Sequence, residues 1–481
     1  MVTPRPKTLW FITLVLVLIA LRFCAMHFVP LMETTEARYG EIARKMLETG
    51  NWLTLQDTYT SPFWAKPPLF AWLSAASMAV FGINEWAIRL PSLILSIGVA
   101  WLVFFTLHRE KPESLQAHHA VLILSTGIGF FVTSGTVMTD TALLFSVTLS
   151  LLGFWLFQKS REKIWGYCFF AGLGLGLLAK GPLAWVLIGG PLIIYVTWQR
   201  SWIATIKSLP WLGGITLAVV IPGVWYTAAE LKTPGFLDYF IMGEHVYRFL
   251  KPGWNGDLYG FAHATPRGIM LAYIIIAILP WSIWFLINLL RNRQSALQTI
   301  QSNSLSHFIL CWLGFQCVFL SLPANTIWPY FLPMAPALAM LMANTSISWL
   351  KDRLTIYVMA SLMTISLVVA MGYYSLNAPN IDKSGKNLVS QWQSLQSTHP
   401  GALHYLASKR LFSIEFYSNG QATLLNNSED VTRLLHNQIP DYLIAEAEMF
   451  ERLPTSIQNR FIIVEPRQGS ALNLLLLSES R

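Results

Sequence analysis

The sequence is dominated by a series of apolar runs, each about as long as a helix needs to cross a lipid bilayer, roughly 20 residues. Hydrophobic residues make up 54% of the 481 positions and charged residues only 12%, a balance well outside that of soluble domains. A soluble enzyme is thereby excluded, and a polytopic α-helical membrane protein is predicted. The eleven runs lie at 9–29, 88–107, 120–136, 141–157, 164–179, 182–198, 208–227, 267–288, 305–322, 330–349 and 354–375.

Basic residues set the predicted orientation of these helices. The first run follows Arg5 and Lys7 and lacks a small-residue cleavage site, so we predict an uncleaved anchor whose amino end is cytoplasmic. The segment 67–82 is apolar but too short for a span, which favours a re-entrant or interfacial helix. If this segment does not cross, every short basic loop is cytoplasmic. The net charge of +8 then reflects helix orientation, and no nucleic-acid partner is predicted.

Three polar segments then lie outside the cytoplasm: 30–64, 228–266 and the tail after Tyr374. The composition of the tail predicts a small α/β domain, so the domain boundaries are placed at 1–376 and 377–481. Predicted strands in the tail are 402–407, 422–425, 441–445 and 460–464, and predicted helices are 385–396, 428–437 and 446–453.

The first outer segment carries charges on a predicted helix. Arg38, Ile42, Lys45 and Met46 recur at spacings of three and four, as on one face of a helix along the membrane surface. A solvated interfacial helix is the simpler interpretation of those charges. Lys66, by contrast, precedes two prolines, and an ammonium held by a stiff turn at the membrane surface suits a phosphate.

Other candidate residues sit at the outer ends of the predicted spans. Ionisable groups at membrane depth are costly, so Asp140 and Lys180 are functional candidates, although helix capping also explains Asp140. The second outer segment holds His245, Arg248 and His263. Two histidines and a glutamate could ligate a metal, but their spacing matches no tight site, and ordinary hydrogen bonding is favoured over a divalent metal near His263.

The candidates share one predicted face of the membrane. A chance distribution would place such residues on both faces. The residues that share the predicted face are Glu36, Lys66, Asp140, Lys180, His245, His263 and Tyr330. Acids beside cations at the lipid boundary suit a reaction whose donor is a membrane lipid phosphate, with Lys or Arg neutralising the leaving group. We find neither a phosphate-binding Gly-rich loop nor a nucleotide-sugar motif, so the donor is predicted to carry its own activation.

Several motifs resemble a known family, the bacterial GT-C glycosyltransferases of the lipid A aminoarabinose transferase (ArnT-like) kind, related to protein O-mannosyltransferases. The strongest matches are 36–47 with 50–52, 66–69 and 84–91, the last containing Arg89. Weaker matches are 139–140, 180–182, 244–248, His263, 280–281 and 329–333.

The resemblance implies a GT-C fold, a polyprenyl-phosphate sugar donor and an outer cavity where an acid of the first loop supports transfer. It implies that Lys66 contacts the donor phosphate, and it places Arg38, Tyr39, Arg89, Lys180, His245, Arg248, His263 and Tyr330 at the donor phosphate or substrate. Two departures matter. Family members usually have Asp-Glu before Arg-Tyr, where this chain has Thr35-Glu36, so the acidic role falls to Glu36 or Glu33. The family's usual Glu before Lys-Pro is Ala65 here, which weakens a metal site at that position.

The predicted function is transfer of a sugar from a polyprenyl phosphate to lipid A or another envelope glycan or protein, on the outer face of a bacterial inner membrane. Glu36, Asp140 and Lys66 are the predicted catalytic residues. A transporter or flippase of lipid-linked sugars is disfavoured because most charges avoid the spans, although Arg22 is an unassigned exception. An O-antigen ligase-like transferase remains an alternative, disfavoured by the acidic first loop.

Overall fold

The computed structural model describes residues 6–260, 264–323, 325–346, 354–436, 441–464 and 471–480. The chain forms two compact units. Unit 1 comprises Met1–Cys24, Asn51–Leu73 and Arg89–Leu367, and unit 2 comprises Ala25–Gly50, Ser74–Ile88 and Val368–Arg481. The first outer segment is thereby divided between the units, which the sequence did not indicate.

Helices account for nearly all of the described chain up to residue 381. The first twelve are α1 (Pro6–Phe28), α2 (Thr35–Thr49), α3 (Leu69–Phe81), α4 (Glu85–Glu110), α5 (Gln116–Thr126), α6 (Ile128–Thr133), α7 (Thr139–Ser160), α8 (Lys163–Lys180), α9 (Pro182–Trp198), α10 (Trp202–Ser208), α11 (Trp211–Ile215) and α12 (Ile221–Lys232). The next eight are α13 (Phe236–Asp238), α14 (Arg248–Leu250), α15 (Ile269–Ala277), α16 (Trp281–Arg291), α17 (Arg293–Ser302), α18 (Ser304–Ser321), α19 (Ala335–Ser346) and α20 (Thr355–Ile381). Thr216–Val220 and Tyr239–Tyr247 are π-helical, and Trp328–Met334 is a 3₁₀ helix.

Six helices of the described chain are long and apolar enough to cross a membrane, and one bent pair raises the number to seven. They are Lys7–Phe28, Glu85–Glu110, Thr139–Ser160, Trp211–Lys232, Ser304–Ser321 and Thr355–Ala378, with Ile269–Ala277 and Trp281–Arg291 as the bent pair. Of the other predicted runs, 164–179 forms the 18-residue α8 and 182–198 forms α9, whereas 120–136 and the described part of 330–349 form interrupted helices.

Two predicted spans are broken rather than continuous. The run 120–136 forms α5 and α6, which meet at Gly127 in an extended conformation. The run 267–288 forms α15 and α16, which meet at an angle of 101° around Pro280. Proline has no N–H to donate to a helix, which accounts for the second break. Hydropathy marks both runs but carries no signal for either bend.

The proline-led segment forms α3, a helix of 13 residues. At 1.5 Å per residue it is about 20 Å long, less than the roughly 30 Å of a bilayer's hydrocarbon core. Its length agrees with a helix that does not cross, and the orientation built on it stays a prediction.

Close packing of α7 on α8 positions two candidate residues of unit 1. Gly172 of α8 faces α7, where a Cβ atom would lie 2.6 Å from the carbonyl oxygen of Ser146. A larger residue there would push the helices apart. The contact brings together the start of α7, with Asp140, and the end of α8, with Lys180.

Unit 2 contains the predicted α/β tail. Its helices are α21 (Lys386–Leu395), α22 (Phe412–Tyr417), α23 (Ser428–Leu434), α24 (Ala447–Glu451) and α25 (Thr455–Gln458), and its strands are β1 (Ala402–Leu406), β2 (Thr423–Leu425), β3 (Asp441–Glu446), β4 (Phe461–Ile463) and β5 (Leu474–Glu479). The strand order is β2-β1-β3-β5-β4, with β1 parallel to both neighbours and β5 antiparallel to both of its own. The four predicted strands are confirmed. The sequence missed β5, α22 and α25.

The first-loop helix α2 belongs to unit 2 and packs against α22. Gly40 allows this approach, because a Cβ there would lie 2.9 Å from Leu31 and 3.6 Å from Phe416. The predicted helix is confirmed. The interpretation of its charges as solvated is wrong, because Glu41, Arg44 and Lys45 are all buried.

Candidate functional site

Unit 1 gathers two cations around one buried carboxylate. Nζ of Lys66 donates to Oε2 of Glu244 at 2.8 Å, and Nη1 of Arg248 lies 3.0 Å and 3.1 Å from the two oxygens of Glu244. The same Arg248 nitrogen lies 3.3 Å from Oδ2 of Asp257. We call these four residues the Lys66 cluster. The Lys66 ammonium, which the sequence places in a stiff turn, is paired with Glu244 in this structure.

Local helical geometry places Glu244 and Arg248 side by side. Glu244 lies in the π-helical segment 239–247, and Arg248 begins α14 four residues later, so the two side chains share one face. Nδ2 of Asn325 donates to the carbonyl oxygens of Arg248 and Lys251 at 2.5 Å and 3.1 Å. This amide fixes the end of the segment that carries both charges.

Burial and charge act in opposite directions on Glu244. Burial raises the pKa of this carboxyl group, but the nearby charges of Lys66 and Arg248 and the hydrogen bond from Lys66 lower it more, so the pKa of Glu244 lies below its ordinary value. For Arg248, burial lowers the pKa, whereas Glu244, Tyr330 and Asp257 raise it, and the net pKa is raised. Glu244 is therefore ionised at neutral pH and is a weak proton acceptor there.

Aromatic residues hold the short segment that ends at Lys66. The hydroxyl of Tyr259 donates to the carbonyl oxygen of Pro62 at 2.9 Å and accepts from the backbone N–H of Trp64 at 3.0 Å. The Trp64 indole donates to Thr233 at 3.2 Å. Tyr259 itself follows Asp257, whose carboxylate accepts from its N–H at 2.9 Å. One loop thus supplies both a carboxylate of the Lys66 cluster and the residue that positions Lys66.

A second charged group lies at the ends of α7 and α8. The ammonium of Lys180 pairs with Asp140, and both residues are buried. The same ammonium lies 4.3 Å from the ring centre of Tyr330, a cation–π contact. The N-cap of α7 is Met138, without a side-chain cap bond, so capping does not explain Asp140.

His245 connects the two groups. Its Nε2 lies 3.0 Å from the carbonyl oxygen of Lys180, its Nδ1 lies 2.8 Å from that of Phe240, and it directly follows Glu244. Burial lowers the pKa of His245, and its hydrogen bonds with those carbonyls raise it less, so the net pKa is lowered. Gly181 makes room for this contact, with φ at +73° and a Cβ position only 2.6 Å from the Phe240 ring.

The remaining candidates of the first loop belong to unit 2. Glu36 is buried in the first turn of α2, where Oε2 lies 3.5 Å from the backbone nitrogen of Met32. The guanidinium of Arg38 lies 5.1 Å from the ring centre of Phe412, and Tyr39 follows it on α2. The structure thus brings Lys66, Asp140, Lys180, His245, Arg248 and Tyr330 into unit 1, and Glu36, Arg38 and Tyr39 into unit 2.

A buried ion network anchors α2 within unit 2. Arg44 forms two hydrogen bonds with Glu41 at 2.6 Å and 2.7 Å, and Nζ of Lys45 lies 3.3 Å from Glu41 and 3.4 Å from Glu415 of α22. Glu415 also accepts two hydrogen bonds from Arg410 at 2.7 Å and one from Tyr405 at 2.8 Å. Burial raises the pKa of Glu415, but these partners lower it to a net value below normal.

Two further candidate residues are Arg89 and His263. Arg89 is buried in the first two turns of α4, at the start of a segment of unit 1. His263 lies outside the described residues. Within the described ranges, no group of three or more His, Cys, Asp or Glu side chains is placed to hold a metal ion.

Sequence reasoning missed Asp257, Tyr239 and Tyr259, and considered Glu244 only as a possible metal ligand and as part of a weaker family match. The hydroxyl of Tyr239 lies 3.4 Å from Oε1 of Glu244 and accepts from the N–H of Leu258 at 3.1 Å. All four residues come from the outer segment 228–266. That shared segment, rich in aromatic residues and acids, was the available signal.

The chain is similar to a known protein family and to several known enzymes. Residues 9–240 match the family described as dolichyl-phosphate-mannose-protein mannosyltransferase. The chain is 28% identical to an undecaprenyl phosphate-alpha-4-amino-4-deoxy-L-arabinose arabinosyl transferase of Pseudomonas fluorescens, over 85% of this chain and 74% of the relative. It is 29% identical to the enzyme of the same description from Pseudomonas savastanoi, over 74% of this chain and 65% of that one.

Solved structures agree over a larger part of the chain. The crystal structure of ArnT from Cupriavidus metallidurans bound to undecaprenyl phosphate matches with a TM-score of 0.79 at 18% identity, over 98% of both chains. The apo form of that protein matches with a TM-score of 0.77 at 17% identity. At this identity the structural match establishes the fold.

The fold and the relatives define the class of this protein: it is a multi-pass membrane glycosyltransferase with the GT-C fold. Within that class the chain is ArnT-like, so the resemblance predicted from its sequence motifs is confirmed.

Proposed function

We propose that this protein transfers a sugar from a polyprenyl-phosphate donor to a lipid A-type acceptor, or to another envelope glycan or protein, at the outer face of the inner membrane. The N-terminus is cytoplasmic and the tail periplasmic in this proposal. The observation that carries it is the convergence of Lys66 and Arg248 on Glu244. The names of the relatives and the undecaprenyl phosphate bound to a protein of the same fold support it.

The Lys66 cluster has the composition of a phosphate site. Lys66 is a compact cation and Arg248 a planar donor with several N–H groups, and both bind phosphate oxygens well. Their charges are balanced by Glu244 and Asp257. An arriving lipid phosphate therefore exchanges partners with Glu244, and the two cations then stabilise the phosphate as it leaves the sugar.

The reaction is a single in-line displacement with inversion. The bond between sugar C1 and the donor phosphate oxygen breaks, the bond from C1 to the acceptor oxygen forms, and polyprenyl phosphate departs with the electron pair. If the acceptor is a hydroxyl, Glu36 takes its proton, a role typically worth about 10²–10⁴ in rate. If it is a phosphate, the acceptor oxygen is already ionised and needs no base.

Asp140 fits a positioning role better than that of a base. Its carboxylate is paired with Lys180 in a buried setting, and an ion pair disfavours protonation of the carboxylate. We propose that the Asp140–Lys180 pair, with Tyr330 and His245, orders the outer ends of α7 and α8 around the substrate. Loss of either charge would leave the other buried and unpaired.

Transfer of label from a radiolabelled polyprenyl-phosphate sugar to lipid A tests the proposal in proteoliposomes. We expect wild type to transfer, Lys66→Ala and Arg248→Ala to lose transfer by about 100-fold or more, and Glu36→Gln to lose it only with a hydroxyl acceptor. Lys163→Ala, an exposed residue of α8, is the matched control. Equal transfer by all variants would refute the site, and movement of the donor across the bilayer without transfer would favour the transporter.

A further inference from the structure

A groove within unit 1 combines an apolar lining with a single cation. It is an open groove of about 500 Å³, adjoining solvent space included, between α1, α4 and the α5–α6 segment. Its lining residues are Val15, Leu18, Ile19 and Arg22 of α1, Leu93, Ser96, Ile97 and Ala100 of α4, and Val121, Ser125, Phe130, Phe131 and Ser134. The α1 and α4 sets each follow a spacing of three, four and seven, so each is one face of its helix.

Arg22 lies at one end of this groove. Its Nη2 donates to the carbonyl oxygen of Val132 at 2.6 Å, and its guanidinium lies 5.7 Å from the ring centre of Phe131. Ser92 donates to the carbonyl oxygen of Thr136 at 2.7 Å, so the start of α4 meets the same end. From Arg22 to Val15 is seven residues, which gives an apolar channel about 10 Å long below the guanidinium.

A second polar group points to an occupant. Ser96 is 3% exposed, and in the described structure its hydroxyl has no hydrogen-bond partner. Buried hydroxyls are usually paired, commonly to the carbonyl four residues earlier when they lie in a helix. A buried unpaired hydroxyl in the same groove as a cation and an apolar channel matches the polar glycerol region and the acyl chain of a lipid.

We propose that this groove binds an acidic glycerophospholipid, with one acyl chain in the channel and the phosphodiester accepting hydrogen bonds from Arg22. One guanidinium balances the single negative charge of a phosphodiester, whereas the two cations of the Lys66 cluster suit the polyprenyl phosphate that leaves the sugar, which is a monoester. None of the lining residues named above is acidic, so nothing in the groove complements the ammonium of a zwitterionic head group. The groove shares no lining residue with the Lys66 cluster, so this is a separate site.

Native mass spectrometry of the full-length protein in detergent tests this assignment, with phosphatidylglycerol, phosphatidylethanolamine and undecaprenyl phosphate as probes. Wild type should retain phosphatidylglycerol in preference to phosphatidylethanolamine. Arg22→Met should reduce that retention about fivefold, the factor that corresponds to about 1 kcal/mol per basic residue near a charged lipid. Arg22→Lys should keep most of it, and Arg291→Met, an exposed arginine at the end of α16, should change nothing.

A variant that leaves the charge in place separates binding from folding. Ala100→Phe fills the far end of the channel and should weaken retention of both phospholipids without changing their ratio. Unchanged retention in Arg22→Met or Ala100→Phe would overturn the proposal. Equal retention of both phospholipids by wild type, or displacement of phosphatidylglycerol by an equal concentration of undecaprenyl phosphate, would also overturn it, the latter in favour of a carrier-lipid site. Because the readout is lipid binding, these outcomes do not depend on transferase activity.

Discussion

Lys66 and Glu244 are 178 positions apart in the chain, yet the lysine ammonium donates to the glutamate carboxylate at 2.8 Å. The carboxylate is almost fully buried, and it also accepts from Arg248. In this arrangement Glu244 occupies the two cations that a phosphate would use. Glu244 therefore competes with the donor phosphate for these two cations. Removing its charge should affect donor binding and turnover differently.

Replacing Glu244 with Gln should tighten binding of undecaprenyl phosphate and slow transfer. The amide no longer competes for Lys66 and Arg248, so affinity should rise about tenfold, equivalent to roughly 1.4 kcal/mol. Turnover should fall because the two cations lose the anchor that orients them. Tryptophan fluorescence titration and the transfer assay measure the two effects. Glu113→Gln, in an exposed loop, is the control, and weaker binding by Glu244→Gln would contradict the competitor role.

Replacing Tyr259 with Phe should lower transfer while the protein remains folded. The variant removes the hydroxyl that bridges Pro62 and Trp64, two hydrogen bonds worth about 1 kcal/mol each. The segment before Lys66 then becomes looser. We expect a clear fall in kcat and only a small fall in the melting temperature. Tyr167→Phe, on the exposed side of α8, is the control. A loss of stability with kcat unchanged would show that Tyr259 supports the fold alone.

Glu33 should make the stability of the protein depend on pH. Burial raises the pKa of Glu33 to about 7 from an ordinary 4.5, while hydrogen bonds from Ser413 and Phe412 oppose the rise. Between these values the folded protein holds a proton that the unfolded chain has released. The free energy of unfolding should therefore decrease as pH rises from about 4.5 to about 7.

Glu33→Gln should remove this slope, as measured by chemical unfolding across that pH range. Glu448→Gln is the control, because the Glu448 side chain is 79% exposed. An identical slope in wild type and Glu33→Gln would mean that another group titrates. A slope of opposite sign in wild type would mean that groups such as His245 and His404, whose pKa is lowered by burial, outweigh Glu33.

Replacing Lys45 with Met should destabilise unit 2 by about 3 kcal/mol. The ammonium lies between Glu41 and Glu415 and is almost fully buried, so its loss leaves buried negative charge incompletely balanced. Lys409→Met, at an exposed position, should cost less than about 0.5 kcal/mol. Chemical unfolding measures both. Equal stability of the two variants would show that Arg44 and Arg410 suffice to neutralise the network.

Much of the fold could be read from the sequence because it depends on local pattern. Apolar runs marked the helices, and short β-branched and aromatic runs marked four strands. Strand β5 was missed because Leu474–Leu477 is a continuous leucine run without the alternation of a half-buried strand. The breaks at Gly127 and Pro280 were missed because hydropathy averages over them.

The candidate site was predictable residue by residue but not as pairs. Asp140 and Lys180 were found because charges beside apolar runs are expensive, which is a local property. The partner of Lys66 depends on how two distant loops meet, and no spacing in the sequence encodes that. Asp257 and Tyr259 stayed unnoticed for the same reason, since each reads alone as an ordinary loop residue.

The composition of unit 2 has a consequence for how the protein matures. The helix that carries Glu36 comes early in the chain, but Lys45 on that helix pairs with Glu415, which is synthesised 370 residues later. Until that late region arrives, the early cations have no complete set of counter-charges. Unit 2 therefore completes its buried ion network only after the α22 region has been synthesised, so the helix made first waits for a much later part of the chain.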